Sequence, residues 1–335
     1  MNILYLCDKK IYDTKMSRVR FHNIDAIKRY PGINLKKTGP GWPGFKNAEQ
    51  AENDFGPDLV IWYKPLSIPR YTKVKAPKCI QYNECWNVNA TKSEIKTSDS
   101  KLVICHHLND IPRFIDKIST DYKLVHNPHC AEIEIFKDRG HKKRVDVLIT
   151  GRLSAGCYPL RQKLATKVKN KLRSKGYKCE LYSHPGYRMK SYDDIKKQNI
   201  RYAKAINEAW IVGSDASDYK YALAKYSEIP MCGAALAGDI PKENQSWYRK
   251  WMIELNKEDS ADKIADVLID RLSDKEALRK LIDKGIEENM KYRKQEDYAK
   301  RFVNIATDFL NGKLDNYNFN TDYLESYNGF EGMIV

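Results

Sequence analysis

No pair of cysteines in this chain is spaced to hold a metal or to act as a dithiol. The eight stand singly, at Cys7, Cys79, Cys85, Cys105, Cys130, Cys157, Cys179 and Cys232, with no Cys-x-x-Cys among them. That excludes a zinc knuckle and a thioredoxin-like centre. Several lie inside apolar runs, where a thiol behaves as a small hydrophobe. A reducing compartment is the natural expectation, and with it a cytoplasmic location. No apolar run reaches the length of a membrane span. The opening MNILYLCDKK turns charged after a short apolar stretch, so it reads as a first strand and not as a secretory leader. The sequons at Asn89 and Asn244 are accordingly taken as chance. No repeat of domain-building length is present. The segment Ile149–Arg161 is neither a Walker loop nor a G-x-G-x-x-G fingerprint. His126 and His129 flank Asn127-Pro128, but the proline prevents a helix that would align them and no third ligand is near. No metal is expected.

What the chain has in quantity is positive charge. Its 335 residues carry a formal net charge of +15. Such a balance invites nucleic acid, an acidic membrane surface or phosphate-bearing substrates. The basic residues are mostly lysines interleaved with Asp and Glu, so a solvated surface is the simpler reading. No basic-aromatic cluster points to bases, and nucleic acid is not an expected partner. Peripheral contact with anionic surfaces remains open.

The length suits two domains. Apolar runs at Asn2–Cys7, Asp58–Tyr63, Lys78–Tyr82, Lys101–Cys105 and Tyr122–Val125 read as strands of a first domain, residues 1–140. They lack strict alternation, as strands covered on both faces do. Ser17 is placed to cap a helix running to about Tyr30. Lys137–Arg144 is polar and reads as a linker. A second α/β series, residues 145–294, follows, with strands at Val145–Thr150, Cys179–Tyr182, Trp210–Val212 and Trp251–Leu255. Helices are expected over Tyr158–Ser174, with Pro159 in its first turn, and over Tyr202–Ala209. Helical pattern fills Ser260 to Leu310. The tail, residues 313–335, is expected to be irregular.

Two segments carry the chemistry. In Ile149–Arg161 a strand ends, a small-residue loop follows and a helix begins. Gly151 and Gly156 allow backbone amides to approach a ligand, and exposed amides at a helix start favour anions. Arg152 and Arg161 are placed to clamp a diphosphate, unless they are solvated arginines of an ordinary turn. In Lys225–Pro241, KYSEIPMCGAALAGDIP, a helix ends at Pro230 and Gly233, and a short small-residue strand follows. Glu228 then sits in the last helical turn beside the carboxyl rim of a sheet, where open α/β sheets bind ligands. A carboxylate there can accept both hydroxyls of a ribose, and Lys225 can reach a phosphate. An exposed Lys-Glu pair is the plain alternative.

Order and spacing of these segments resemble the nucleotide-sugar domain of GT-B glycosyltransferases of group 1. Gly151-Arg152 matches the strand-end Gly-Arg pair, and Glu228 to Gly233 matches Glu-x-x-x-Cys-Gly. KYSEIPMCGAAL is similar to the spore-maturation-type members, as is Tyr158-Pro-Leu-Arg161. LVHNPHCAEIEIF, ending at Phe136, resembles the end of the acceptor domain, and Asp259–Asp274 the helix after the donor strand. The resemblance spans about residues 120 to 310. It implies two Rossmann-like domains facing across a cleft, a final helix at 295–312 crossing back to the first domain, and His129 near the hinge. It implies a nucleoside-diphosphate sugar (UDP-, GDP- or dTDP-linked) as donor, a glycan or other hydroxyl acceptor, no permanently bound cofactor and no required metal. Arg152, Arg161 and Lys225 would neutralise the diphosphate and Glu228 would hold the ribose. One departure stands out. Many group-1 members carry a second Glu where this chain has Lys220, so retention or inversion stays open; Asp215 and Asp218 lie nearby.

Acceptor-side candidates are Glu84, after the strand Lys78–Tyr82, as general base, and His107 or His106 after the next strand. Asp8 and Lys9 follow the first strand. Tyr187, in His184-Pro-Gly-Tyr187, is a candidate to stack on the nucleotide base. An epimerase of the same fold, a nucleic-acid-binding protein and a DNA-glycosylating enzyme are the alternatives.

Overall fold

The apolar runs of the first half become parallel strands: β1 (Asn2–Leu6), β3 (Leu59–Trp62), β4 (Lys78–Tyr82), β5 (Leu102–Cys105) and β6 (Lys123–His126). An additional strand, β2 (Asn34–Thr38), lies at the edge, giving the order β2-β1-β3-β4-β5-β6. β3, β4 and β5 are buried at every position, as a parallel sheet covered on both faces requires. β2 exposes Lys36 and half-exposes Lys37, and such charges protect an edge from pairing with another chain. The computed structural model describes residues 1–16, 19–63, 73–83, 87–111, 122–153 and 156–314. The expected Ser17 cap lies outside the described residues; its helix is described from Val19 to Arg29.

The second sheet contains β7 (Val145–Gly151), β8 (Cys179–Ser183), β9 (Ala209–Gly213), β10 (Ala235–Gly238) and β11 (Ile253–Glu254), in the order β11-β10-β9-β7-β8, again parallel. The chain goes from β7 to β8 on one side and then to β9 on the other. β7 and β9 therefore flank a topological switch point, and their carboxyl ends are Gly151 and Gly213. The core beside this sheet gathers Val147, Ile149, Ile211, Leu164, Val168, Leu268 and their neighbours.

The chain folds into two compact units. The first holds Met1–His129, Tyr187–Tyr192 and the segment from Gln295, and the second holds Cys130–Gly186 and Asp193–Lys294. Within the first, helix Gln295–Leu310 packs on helix Val19–Arg29. Asn127 ties it to the end of β6, donating to the Tyr298 carbonyl at 3.3 Å and accepting from Arg301 Nε at 2.9 Å. Lys137–Arg144 belongs to the second unit and is anchored there. Asn207 Oδ1 accepts from Arg139 N at 2.7 Å, and Lys143 Nζ donates to the Asn207 carbonyl at 2.8 Å. No helix among the described residues is long and apolar enough to cross a membrane.

Gly233 ends the helix Lys225–Met231 in the left-handed conformation, with φ +75°. A Cβ there would fall 2.6 Å from Asp138 Cγ, and the Gly233 carbonyl accepts from Lys143 Nζ. Gly233→Ala is therefore expected to lose about 2 kcal/mol or more, since left-handed backbone alone costs an L-residue about 1–2 kcal/mol. In a urea-denaturation double-mutant cycle with Asp138→Ala, which removes the clash, the two losses should be less than additive.

Candidate functional site

The switch point is organised by a buried arginine. Arg161 opens the helix after β7 and is only 2% exposed. Its Nη1 donates to the Arg152 carbonyl at 3.0 Å and its Nη2 to Asp215 Oδ1 at 3.1 Å. Asp215, just beyond β9, also accepts the Arg161 backbone N–H through Oδ2 at 3.0 Å. One carboxylate thus serves both as counter-charge and as partner for an amide of the first helical turn. Tyr158 lies against the guanidinium, ring centroid to Cζ 4.1 Å. Pro159 takes the first helical position, where its missing donor is harmless. Gly151 has φ +107°, and a Cβ on it would lie 2.7 Å from Arg161 Nη1. The Gly-Arg and Tyr-Pro-x-Arg segments are therefore two halves of one packing arrangement. Burial pushes the Asp215 carboxyl up to about 6 against the opposing pull of Arg161.

The rim around this pair carries more charge. Gly151 pairs with Ser183 across β7 and β8, which sets His184 beside the Gly151-Arg152 turn. The imidazole is held below its usual value by burial and then by Lys225, Arg152 and Arg161, so all three cations act on one side chain. Lys225 and Glu228 lie in the short helix Lys225–Met231; Glu228 is in its first turn and not at its far end as expected. Burial draws Lys225 down to about 8, with Glu228 pulling the other way and Arg161 adding to the fall. Glu228 is raised by burial and opposed by Lys225. Its carboxylate is half-buried and, among the described residues, accepts no hydrogen bond and closes no ion pair. Lys225 Nζ donates instead to the Tyr202 hydroxyl at 2.9 Å.

Gly151, Arg152, Arg161, Lys225 and Glu228 are thus brought together at one carboxyl rim. Arg152 is exposed. Arg161 has its guanidinium committed to Asp215 and the Arg152 carbonyl, leaving Nε without a partner among the described residues. Tyr187 belongs to the first unit and is 46% exposed, its carbonyl accepting from Met16 N at 2.8 Å. Lys220 turns to Asp239, Nζ to Oδ2 2.7 Å, and Asp218 pairs with Lys257 at 2.9 Å. Both carboxylates near Lys220 in sequence, Asp215 and Asp218, are therefore already engaged.

In the first unit Glu84 lies outside the described residues. His106, His107, His126 and His129 are all buried. The His129 ring is 4.6 Å from His106 and 5.1 Å from His107 between centroids. Asp8 caps the helix Lys9–Thr14 by accepting from Ile11 N at 3.1 Å, and Lys9 pairs with Asp13. Among the described residues no group of three or more His, Cys, Asp or Glu is arranged to hold a metal ion. Sequence reasoning missed Thr150, Tyr202 and Ser214 on the rim. Thr150 and Ser214 directly flank the strand ends Gly151 and Gly213, a position that could have flagged them. Tyr202 is one of 22 tyrosines and carried no signal.

The chain matches no protein-family model and no curated protein. Solved structures do resemble it. Sucrose-phosphate synthase from Thermosynechococcus elongatus aligns with a TM-score of 0.66 at 9% identity, covering 93% of this chain and 100% of that one. HepE from Anabaena, solved with UDP and glucose, aligns at 0.60 and 10% identity, covering 92% and 99%. A chain described as a putative UDP-N-acetylglucosamine 2-epimerase from Listeria monocytogenes aligns at 0.55 and 10%, covering 94% and 99%. With the two parallel sheets, these likenesses define the fold as GT-B, the class expected from the sequence.

Removing Asp215 leaves the Arg161 guanidinium buried and uncompensated. Asp215→Ala should lose about 3–5 kcal/mol in urea denaturation, whereas replacing the pair together by Arg161→Met and Asp215→Leu should recover much of it. A loss below about 1 kcal/mol for Asp215→Ala would mean the pair does not organise the rim.

Proposed function

We propose that the chain is a glycosyltransferase that moves a sugar from a nucleoside-diphosphate sugar to a hydroxyl acceptor, with the donor held by the second unit. The observation that carries this reading is the Glu228 carboxylate: desolvated, without a protein partner among the described residues, and set among cations at the switch point. A carboxylate in that state is an acceptor awaiting donors, and the adjacent hydroxyls of a ribose supply two. Arg152 and Lys225 supply positive charge for the diphosphate next to it. Arg161 acts on the same anion through its field and by holding the Gly151-Arg152 turn.

Chemically, the second unit stabilises the leaving group. As the glycosidic bond to the donor breaks, negative charge grows on the diphosphate. Cations fixed beforehand at a poorly solvated rim stabilise that charge without reorganising. Side chains meet the charge, so binding should not need an added divalent cation. The first unit is assigned the acceptor, with Glu84 or His107 taking the proton of the attacking hydroxyl. Free cysteines, buried in all but one case among those described, favour a reducing compartment and hence the cytoplasm. An epimerase shares this donor chemistry; it would convert the nucleotide sugar and need no acceptor.

UDP, GDP and dTDP, each offered without metal, should separate the bases. The one that fits should raise the melting temperature by a few degrees, since ligand at a hundred times its Kd contributes about 2.7 kcal/mol. Glu228→Ala and Arg152→Ala should each weaken that nucleotide about tenfold or more, the loss of a hydrogen bond to a charged group being about 1.5–3 kcal/mol. Both variants should keep the wild-type melting temperature within about 2 °C in the absence of ligand. Undiminished stabilisation in both would sink the donor-site assignment.

A further inference from the structure

The rim contains an arrangement that donor binding alone does not explain. Lys225 and Glu228 are three residues apart on one helix, a spacing at which opposite charges ordinarily meet. They do not meet here. Lys225 Nζ donates to the Tyr202 hydroxyl at 2.9 Å and lies 4.4 Å from the centroid of its ring. That hydroxyl in turn donates to Thr150 Oγ1 at 3.2 Å, immediately before the Gly151-Arg152 turn. The Tyr202 ring is itself fixed. It is 8% exposed and lies between Tyr182, 5.2 Å away, and Phe136, 6.1 Å away. A buried aromatic held between two rings cannot swing, so its hydroxyl is a stationary acceptor for the ammonium.

Resting on the donor-site reading above, we propose that Tyr202 is a positioning residue. It draws Lys225 away from Glu228, keeping the carboxylate open to a pair of sugar hydroxyls and the ammonium open to a phosphate oxygen. Closure of a Lys225–Glu228 pair would cancel both ligand-binding charges at once. An ammonium has three donors, and the Tyr202 contact uses one, so the others remain for a ligand.

The groups facing Lys225 set the sign of its pH response. Glu228 raises it from its own helix, and Arg161 lowers it from the helix after β7. Lys225 in turn depresses His184 beyond β8, as do Arg152 and Arg161. Tyr202 and Cys232 are both pushed up, by burial first and then by Glu228, so neither adds a negative charge near neutral pH. With Lys225 near 8, the ammonium is charged at neutral pH and loses its proton as the pH rises past 8. If the hydroxyl is removed, the ammonium falls back on Glu228, and its titration moves up toward the ordinary lysine range.

Tyr202→Phe keeps the ring and removes only that hydroxyl. Two measurements on the full chain test the proposal. The first is Lys225 titration by NMR of lysine labelled at Cε, assigned with Lys225→Arg. The expected midpoint is near 8 in the wild type and higher in Tyr202→Phe. In Tyr202→Phe combined with Glu228→Gln there is no carboxylate to pair with, and the upward shift should vanish. The second is UDP affinity by calorimetry against pH. Wild-type affinity should fall about tenfold per pH unit above the Lys225 midpoint. Tyr202→Phe should bind about tenfold more weakly at pH 7 and show its alkaline fall at higher pH. A merely structural role for Tyr202 would weaken binding equally at every pH and leave the Lys225 midpoint in place, and either result overturns the proposal. A wild type that binds no UDP, GDP or dTDP would bring down the donor-site reading. The Lys225 titration would still decide on its own whether Tyr202 keeps the two charges apart.

Discussion

The buried ion pair between Arg161 and Asp215 is the contact on which the rest of the second unit's rim depends. Both side chains are almost wholly removed from water, at 2% and 1% exposure, and each needs the other. The pair links the end of β9 to the first turn of the helix after β7. Through the Arg152 carbonyl it also fixes the turn at the end of β7. Gly151 is required because the guanidinium lies where a Cβ would be. The switch point of the sheet, which topology alone makes a crevice, thus acquires a fixed floor built on this pair.

Around that floor the charges differ in kind from the rest of the surface. Several lysines of the second unit sit in exposed pairs, such as Lys175 with Asp266, Lys263 with Asp259 and Lys280 with Glu276, each worth little. These pairs and the exposed lysines account for much of the basic composition without calling for a polyanionic partner. At the rim Arg161 and Lys225 are desolvated, while Arg152 stays exposed. Burial pulls Lys225 below its ordinary range, and burial together with three positive neighbours holds His184 below its own. That electrostatic imbalance is what supports the proposal that the rim takes an anion, with Glu228 orienting it.

Much of this was legible in the chain. The strand-end Gly151-Arg152, the Tyr158-Pro-Leu-Arg161 helix start and the Glu228 helix with its Gly233 stop are local features, fixed by backbone conformation and short-range packing. Apolar runs located every central strand because parallel strands are buried on both faces. What stayed hidden was polar or long-range. β2 carries two lysines at a sheet edge and has little apolar signal. Helices Ala48–Phe55 and Val88–Ser98 are mostly polar; their asparagine caps, Asn47 and Asn87, were the available signal. Helix Tyr192–Asn207 begins about ten residues before the expected Tyr202 because its first turns, DDIKKQ, mostly face water. Two role assignments also depended on contacts that no spacing reveals. Arg161 looked like a ligand arm and is held by Asp215, 54 positions away. Tyr202 lies 23 positions before the lysine it binds.

The central claim is that the switch-point rim of the second unit grips a nucleoside diphosphate, with Glu228 on its sugar ring. A crystal structure of the chain soaked with UDP tests it most directly. The account predicts ribose hydroxyls within about 3.0 Å of the Glu228 carboxylate and diphosphate oxygens at hydrogen-bond distance from the Gly151-Arg152 turn and Lys225. Nucleotide bound elsewhere, or bound at this rim with its ribose out of reach of Glu228, would contradict it.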